Sequence, residues 1–286
     1  MKIITNPNES QEIAKKIKYN GSGSAENKKI VLVPTMGALH EGHLKLIDRA
    51  KTLGDIVFVS IFVNPTQFGP NEDFEKYPRK FESDCKKCEE RGADFIFAPS
   101  VKEMYPEGFD TSVSCGKITS VLEGAIRPGH FDGVCGVVLK LFNTTLADVA
   151  VFGQKDAQQV MVIKQMVRDL NVPITIDIHP IVREKNGLAM SSRNVYLTEK
   201  ENEDVPMIYS GLQAVTDFVK TEKNAKKIKK YLQNFYLAMK FFKVEYIAIT
   251  DLYANEIEEI SQGNTLISLA VRTAQSKTRL IDNILL

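Results

Sequence analysis

Short apolar runs alternating with longer amphipathic stretches restrict the fold of this chain more than any other feature. The clearest run, Asp55 to Val63, is apolar at nearly every position, so both of its faces can be buried. Strands of this kind are typical of a parallel sheet covered by helices on both sides. Other runs of strand length lie at 30–33, 94–98, 149–152 and 174–178.

Segments with helical periodicity separate these runs, and the resulting order predicts the topology. They lie at 8–18, from Gly42 onward, and at 81–91, 134–146 and 157–170. The glycine-, proline- and charge-rich stretch at 122–133 is predicted to be a long loop. Because strands that alternate with helices form parallel sheets with right-handed crossovers, we predict a doubly wound, Rossmann-like α/β sheet. The polar segment Gly21 to Ser24 is expected to form a flexible turn before the first strand of this alternation.

The pattern changes near residue 182. A polar segment, Arg183 to Asn194, is followed by two helical stretches, at about 199–219 and 224–240. Three strand-like runs come last, at 244–250, 265–271 and 278–283. We therefore predict a catalytic α/β domain at 1–182 and a smaller α+β lid domain at 183–286. The chain has 286 residues, of which 43% are hydrophobic, so it is long enough to bury two modest cores.

Composition excludes some classes of function. Lys and Arg total 37 and Asp and Glu total 36, a balance that argues against a general nucleic-acid or membrane-surface binder. Six lysines between Lys220 and Lys230 are interpreted as a solvated helix face, with an RNA-contacting patch as the alternative. The N-terminus lacks the apolar region of a signal peptide, and no run approaches the roughly 20 residues of a membrane span. We therefore expect a soluble cytoplasmic protein.

The four cysteines are too few for a disulfide scaffold. Cys85 and Cys88 form C-x-x-C, which could indicate redox or zinc chemistry. They lie one turn apart in a charged helical stretch, and no second C-x-x-C exists, so a structural role is favoured. Cys115 and Cys135 stand alone in the sequence.

Two of the four histidines, His40 and His43, lie close together where a strand is expected to give way to a helix. Pro34 is expected to end the strand, and Gly37 and Gly42 permit unusual backbone conformations. A helix N-terminus offers unpaired N–H groups and positive dipole charge, which suits a phosphate. A metal pair is an alternative, but the zincin motif has three residues between its histidines and this chain has two. A structural turn with incidental histidines is the other alternative.

Three further polar segments follow predicted strands or the domain junction. They carry Asn64 and Gln67, then Lys155, Asp156 and Gln159, and finally Ser191, Ser192 and Arg193. Each residue taken singly is more often a surface group, but together they predict a donor-rich cleft suited to a triphosphate. The chain has no G-x-x-x-x-G-K-[ST], and no G-x-G-x-x-G follows a strand, so neither a P-loop nor a dinucleotide site is expected.

Five long motifs in order carry a resemblance to a known family. They are PTMGALHEGH, SIFVNPTQF, LEG-x-x-RPGHFDGV, FGQKD-x-QQ and GLAMSSRN, with TRLIDN following at Thr278 to Asn283. Over nearly the whole chain they resemble the pantoate–β-alanine ligases, which are nucleotidyltransferases of the class I aminoacyl-tRNA synthetase type. His40-x-x-His43 corresponds to the HIGH motif of that superfamily, and Met190 to Arg193 takes the place of its KMSKS loop.

The resemblance implies a reaction in two steps. ATP and pantoate form pantoyl adenylate and pyrophosphate, and β-alanine then attacks the acyl carbon to give pantothenate and AMP. Joining the carboxylate to AMP supplies a good leaving group, which a free carboxylate lacks. The resemblance also implies Mg²⁺ carried on the ATP phosphates, no metal site formed by the protein itself, and a homodimer.

The resemblance assigns roles to individual residues. His43 is the proton donor, with His40 and Lys155 also catalytic. Gln67 and Gln159 hold pantoate, and Gln67 also borders β-alanine. The residues implied to bind ATP are Met36, Gly37, Ala38, Leu39, His40, Glu41, Gly42, His43, Gly153, Gln154, Lys155, Asp156, Val182, Met190, Ser191, Ser192 and Arg193. Many relatives have Asp where this chain has Asn186, which removes a charge from the segment expected to close over ATP.

Two other functions remain open from the sequence. A plain adenylyltransferase would use the same histidines and release pyrophosphate without consuming an amine. A non-catalytic nucleotide- or RNA-binding module would depend on the lysine cluster alone. Release of AMP that requires both pantoate and β-alanine distinguishes the three.

Overall fold

The computed structural model describes residues 1–19, 28–70 and 72–286, so the turn expected at Gly21 to Ser24 lies outside the described residues. The chain forms two compact units. The first comprises Met1–Gln154 and Val162–Pro180, and the second comprises Lys155–Met161 and Ile181–Leu286. Each unit has its own sheet. A lid role for 183–286 stays a prediction.

The first unit contains a six-stranded sheet in the order β1-β4-β3-β2-β5-β6. Each described pair of neighbouring strands is parallel. From β2 the chain proceeds to β3 and β4 on one side and later to β5 and β6 on the other, which confirms the doubly wound topology. The strands are β1 (Lys2–Ile4), β2 (Ile30–Thr35), β3 (Ile56–Ile61), β4 (Phe95–Phe97), β5 (Val149–Gly153) and β6 (Thr175–His179).

Helices pack against this sheet. One face of β2 and β3, which includes Val31 and Val57, is covered by Ile47 of α2 and Cys88 of α3. Helix α6 also packs on β2, and α1 packs on α6. The helices are α1 (Pro7–Tyr19), α2 (Glu41–Lys51), α3 (Phe81–Glu90), α4 (Val101–Met104), α5 (Glu123–Ile126), α6 (His130–Thr145) and α7 (Ala157–Asp169).

Strand β2 does not end before Pro34, as the sequence predicted, but continues to Thr35. The Ile30 carbonyl accepts from Asp148 N at 2.8 Å, on the β5 side. Because alternate residues of a strand direct their main-chain groups to opposite neighbours, Leu32 and Pro34 also face β5. Pairing with β5 ends at Leu32, so the missing N–H of Pro34 removes no hydrogen bond from the sheet.

The long loop predicted over 122–133 is also wrong. Glu123–Ile126 forms a helical turn, and α6 already begins at His130. The cause is a close approach of backbones, because a Cβ on Gly133 would lie 2.3 Å from the Thr66 carbonyl oxygen. The first turn of α6 is therefore pressed against the segment that follows β3.

The second unit is the smaller α+β part that the sequence predicted. Its antiparallel sheet has the order β7-β8-β9. Leu212 of α9 and Ile228 of α10 pack on Ile267 and Leu269 of the central strand. The single helix predicted over 199–219 is two helices, because Pro206 starts the second. The elements are α8 (Glu199–Asp204), α9 (Pro206–Phe218), α10 (Ala225–Leu237), β7 (Phe242–Thr250), β8 (Leu266–Thr273) and β9 (Arg279–Leu285).

The cysteines are all free thiols in the described part of the chain. Cys88 is fully buried in the core, and burial raises the pKa of its thiol to about 12, as suits the structural role expected for C-x-x-C. Cys115 and Cys135 are not isolated in the fold, since their Sγ atoms lie 3.7 Å apart.

The lysine cluster of the second unit is partly neutralised. Lys220 pairs with Asp217 at 2.6 Å, and Lys227 pairs with Glu222 at 3.0 Å. Such pairs are typical of a solvated helix face. None of the helices in the described residues has the length and apolar character needed to cross a membrane.

Candidate active site

The segment after β2 has an unusual backbone that is held by a distant carboxylate. Gly37 and Ala38 both adopt the left-handed region, with φ of +81° and +51°. Alanine there costs roughly 1–2 kcal/mol. The two carboxylate oxygens of Asp84 accept from Ala38 N and Leu39 N, each at 2.8 Å, and the side chain is 1% exposed. Asp84 therefore holds the segment that leads to the histidines, a role that the charged helix around it did not reveal in the sequence.

Asp84→Asn is expected to lower both stability and activity. An amide has one acceptor oxygen, so one main-chain N–H loses its partner at a cost of about 1–3 kcal/mol. We expect adenylate formation per folded enzyme to slow about tenfold, because a small displacement of catalytic groups is costly. Unfolding by urea and a single-turnover assay measure the two effects.

The matched control for Asp84 is Asp148→Asn. Asp148 also accepts a main-chain N–H, from Ile30 at 2.8 Å, but at the opposite end of β2. It should lose stability without slowing adenylation. An unchanged rate in Asp84→Asn would show that its hydrogen bonds matter to the fold alone.

His40 and His43 begin α2 and cap it with their own rings. His40 Nδ1 accepts from Gly42 N at 3.2 Å, and His43 Nδ1 accepts from His40 N at 3.4 Å. The ring centroids are 4.1 Å apart. Because each Nδ1 is an acceptor in these hydrogen bonds, the proton of a neutral ring lies on Nε2. The structure thus places both imidazole rings at a helix N-terminus, where an anion is stabilised.

Gln67 lies beside this segment. It occupies the short turn after β3 and is 8% exposed. Its Oε1 accepts from Asn64 Nδ2 at 3.2 Å, and its Nε2 donates to Met36 Sδ at 3.1 Å. The Tyr105 hydroxyl donates to Asn64 Oδ1 at 2.7 Å, so the orientation of both amides is fixed. Two of the predicted segments are therefore in contact.

Arg127 and His130 hold the main chain of Gln67. His130 Nδ1–H donates to the Gln67 carbonyl at 2.8 Å, and Arg127 Nη1 donates to His130 Nε2 at 3.0 Å. Arg127 also binds both carboxylate oxygens of Glu72, at 2.6 and 2.5 Å. These residues were not predicted as site residues, although the charges of the RPGH motif beside an apolar helix were a signal.

Burial, and secondarily the charge of Arg127, lower the pKa of His130 to about 4. The unfolded chain takes up this proton near pH 6.5, whereas the native state does not, so stability falls as the pH falls from about 6.5 to 4. We expect this residue to contribute a loss on the order of 3 kcal/mol over that window. Urea unfolding of wild type and His130→Gln at pH 7 and 4.5 measures it. Equal losses in the two proteins would contradict the assignment.

Strands β2 and β5 lie at the point where the order of the sheet reverses. Ligands bind at such switch points, outside the carboxyl ends of the strands. The segment from Met36 to His43 follows β2, and Gly153 and Gln154 end β5 and follow it. The first unit therefore places both predicted segments at its switch point.

In the second unit, Lys155 and Asp156 are adjacent in a helical turn. Lys155 Nζ lies 4.0 Å from Asp156 Oδ1, and the lysine side chain is 21% exposed. Asn283 Nδ2 donates to the Lys155 carbonyl at 3.0 Å. Gln159 lies in the first turn of α7 and is partly exposed.

In the second unit, the segment Arg183 to Asn194 begins as a hairpin, in which Arg183 pairs with Ala189, and continues into the helical turn Ser192–Tyr196. Gly187 N donates to the Glu184 carbonyl at 2.9 Å, and Gly187 has φ of +93°. Met190 N donates to the Val182 carbonyl at 3.0 Å, which brings these two predicted residues together. Ser191 Oγ accepts from Arg193 N at 3.2 Å and caps the turn Ser192–Tyr196.

Comparisons with known proteins cover almost the whole chain. The family model described as Pantoate-beta-alanine ligase matches residues 2–285. A pantothenate synthetase from Caldicellulosiruptor bescii is 51% identical over 99% of this chain and 98% of its own. A crystal structure of pantothenate synthetase from Thermus thermophilus has a TM-score of 0.90 at 38% identity, covering 99% of each chain. A Francisella tularensis pantoate-beta-alanine ligase, complexed with beta-gamma ATP and beta-alanine, has a TM-score of 0.76 at 35% identity, covering 100% of this chain and 97% of its own.

Proposed function

Because the chain belongs to the pantoate–β-alanine ligase family, we propose how its residues divide the work of that reaction. The enzyme condenses pantoate with β-alanine at the expense of ATP. A pantoate carboxylate oxygen attacks the α-phosphorus of ATP, and the bond to pyrophosphate breaks. The β-alanine amine then attacks the acyl carbon, AMP leaves with the bonding pair, and the amine loses a proton. A plain adenylyltransferase differs from this reaction, because it consumes no amine.

In the first unit we assign the triphosphate to the start of α2. The observation that carries this assignment is the pair of histidine caps, which fixes both rings at the N-terminus of α2 through their Nδ1 atoms. His43 is the proton donor to the developing phosphate charge, and His40 is a second donor. The main chain of Met36 to Gly42, with Gly153 and Gln154, completes this part of the nucleotide site.

We assign pantoate to Gln67 and Gln159, and β-alanine also to Gln67. An amide both donates and accepts, which suits the hydroxyl and carboxylate groups of pantoate. Gln67 fits because it is largely buried and held at both its side chain and its main chain. Its position against Met36 places it next to the segment assigned to ATP.

Gln67→Ala and Gln159→Ala are expected to raise the KM for pantoate about tenfold or more and to change the KM for ATP much less. The reason is the loss of hydrogen bonds made to pantoate and not to ATP, each worth about 1–2 kcal/mol. Steady-state kinetics with each substrate varied separately measure the two constants. Gln213→Ala, on α9, is the control and should change neither. Equal increases for pantoate and ATP would contradict the assignment.

In the second unit we assign nucleotide binding to Lys155, Asp156 and Val182, with Met190, Ser191, Ser192 and Arg193. An ammonium and a guanidinium supply the positive charge that a leaving pyrophosphate requires. Hydroxyl groups on Ser191 and Ser192 supply further donors. Met190 N donates to the Val182 carbonyl at 3.0 Å, and this contact supports the assignment of both residues to one binding role.

We propose that Mg²⁺ enters on the ATP phosphates as part of the substrate. Within residues 1–19, 28–70 and 72–286, no three His, Cys, Asp or Glu side chains are placed to hold a metal ion together. The donors beside the histidines are N–H groups, which suit phosphate oxygens, and Mg²⁺ prefers oxygen ligands such as substrate phosphates. By likeness to the family we further propose a homodimer that works in the cytoplasm.

The test of the reaction is release of AMP by the purified enzyme. We expect it to require ATP, pantoate and β-alanine together, with one pantothenate formed per AMP. Pyrophosphate released steadily without β-alanine, and without AMP, would favour an adenylyltransferase. No release of AMP with all three substrates present would refute the proposal.

A further inference from the structure

The motif Thr278 to Asn283 belongs to the resemblance described above, but no step of the reaction uses it. All of it except Thr278 lies in β9, the strand at one edge of the antiparallel sheet. Its last two residues, Asp282 and Asn283, are 3% and 2% exposed, although both are polar. Buried polar side chains are retained where they make specific hydrogen bonds, so the partners of these two residues indicate their role.

Asn283 holds the main chain of Lys155. Its Nδ2 donates to the Lys155 carbonyl at 3.0 Å across a sequence separation of 128 residues. The lysine is the middle residue of the single helical turn Gln154–Asp156, and so short a turn does not fix its position without outside contacts. The hydrogen bond from β9 supplies such a contact.

Asp282 holds the base of the hairpin that ends in Met190 to Arg193. Its carboxylate accepts from Arg183 Nη1 at 2.6 Å and from Arg183 Nη2 at 2.9 Å. Arg183 also contacts the tip of the hairpin, because its Nη1 donates to the Gly187 carbonyl at 3.1 Å. The guanidinium lies 3.6 Å from the centre of the Tyr209 ring, which fixes its plane.

We propose that Asp282 and Asn283 are positioning residues for the adenylation step. Two consecutive residues of one strand fix the two segments of the second unit to which nucleotide binding is assigned. Asn283 sets the position of Lys155, and Asp282 sets that of the hairpin carrying Met190 to Arg193. Neither residue is required to touch the substrates. The inference rests on the proposed roles of Lys155 and Arg193.

The test separates the two half-reactions. Adenylation is measured as pyrophosphate released in a single turnover from ATP and pantoate, and amide formation as pantothenate formed from supplied pantoyl adenylate and β-alanine. Asp282→Asn and Asn283→Ala should slow adenylation between tenfold and 10²-fold, the scale for displaced catalytic groups. Amide formation should stay within about twofold of wild type, since it needs no pyrophosphate departure. Loss of folded protein alone would lower both rates equally.

Two control variants in the same sheet make changes like those of the β9 variants: one replaces a carboxylate by an amide, and the other truncates a buried polar side chain. Glu245→Gln removes a carboxylate charge that is paired with Arg272 at 2.7 Å in the same sheet. Ser268→Ala removes a buried hydroxyl directly opposite Asn283 that makes no hydrogen bond within the described residues. Both controls should keep the wild-type ratio of the two rates.

The outcomes are distinct. A selective fall in adenylation in the β9 variants, and not in the controls, supports the proposal. Equal falls in both half-reactions, no fall, or the same fall in the controls overturns it. If Asn283→Ala does not fold, Asn283→Ser and Asp282→Asn decide. Wild-type enzyme without activity in either half-reaction would instead refute the proposed function.

Discussion

Replacing His43 by alanine is expected to slow adenylate formation by about 10²–10³-fold while the protein remains folded. That is the scale for losing one preorganised donor to charge that develops in a transition state. The fold should survive because His43 contributes one long capping hydrogen bond, from His40 N at 3.4 Å. Loss of such a cap costs about 1 kcal/mol. The measurement is the single-turnover rate of pyrophosphate release at saturating ATP and pantoate.

Two further variants accompany this experiment: His43→Gln, which retains an N–H donor, and His179→Ala, which is a control. Glutamine can place an N–H near the position of the imidazole Nε2, so its rate should lie between those of alanine and wild type. His179 ends β6, at the edge of the sheet, and its substitution should leave the rate within about twofold. A rate for His43→Ala within threefold of wild type would remove His43 from the chemistry.

Lys155→Ala is expected to slow adenylation by at least 10²-fold and to raise the KM for ATP. The ammonium is a compact charge that phosphate oxygens attract strongly, and its loss leaves the departing pyrophosphate less neutralised. Lys155→Arg should recover part of the rate, because it restores the positive charge but carries it on a planar guanidinium instead of a compact ammonium. Initial rates across an ATP titration separate the two effects.

Lys18→Ala is the control for this charge. Lys18 is as buried as Lys155, at 17% against 21% exposed, and pairs with Asp148 at 2.7 Å. It belongs to α1 and to none of the segments assigned to substrates. An adenylation rate and a KM for ATP that are unchanged in Lys155→Ala would make Lys155 an ordinary surface lysine.

The spacing of apolar residues predicted the strands of this fold well where burial of side chains determines the strand. The apolar run at Asp55 to Val63 is the buried strand β3, and five of the six strands of the first sheet were anticipated. The strand that was not predicted, Lys2–Ile4, has three residues and an exposed Ile3. Its sequence is too short to show a periodic pattern of apolar residues. Its place at the edge comes from pairing with β4, which is a tertiary contact.

The sequence predicted residues of the candidate site only where they belong to a recognisable motif. His40, His43 and Gln67 were found because they occur in polar segments after apolar runs. Asp84 was missed because a buried carboxylate inside a charged helix has the same local sequence as an exposed one. What distinguishes it is a pair of main-chain donors 45 and 46 residues away, which no local pattern contains.

The proline in β2 has a consequence for association with other chains. A sheet that parts in its middle presents unpaired main-chain groups, and such groups are a template on which a foreign strand can add. At this parting the position that would offer an N–H toward β5 is Pro34, which has none. An added strand would therefore lack one main-chain donor at this position, which disfavours extension of the β2–β5 ladder by a foreign peptide.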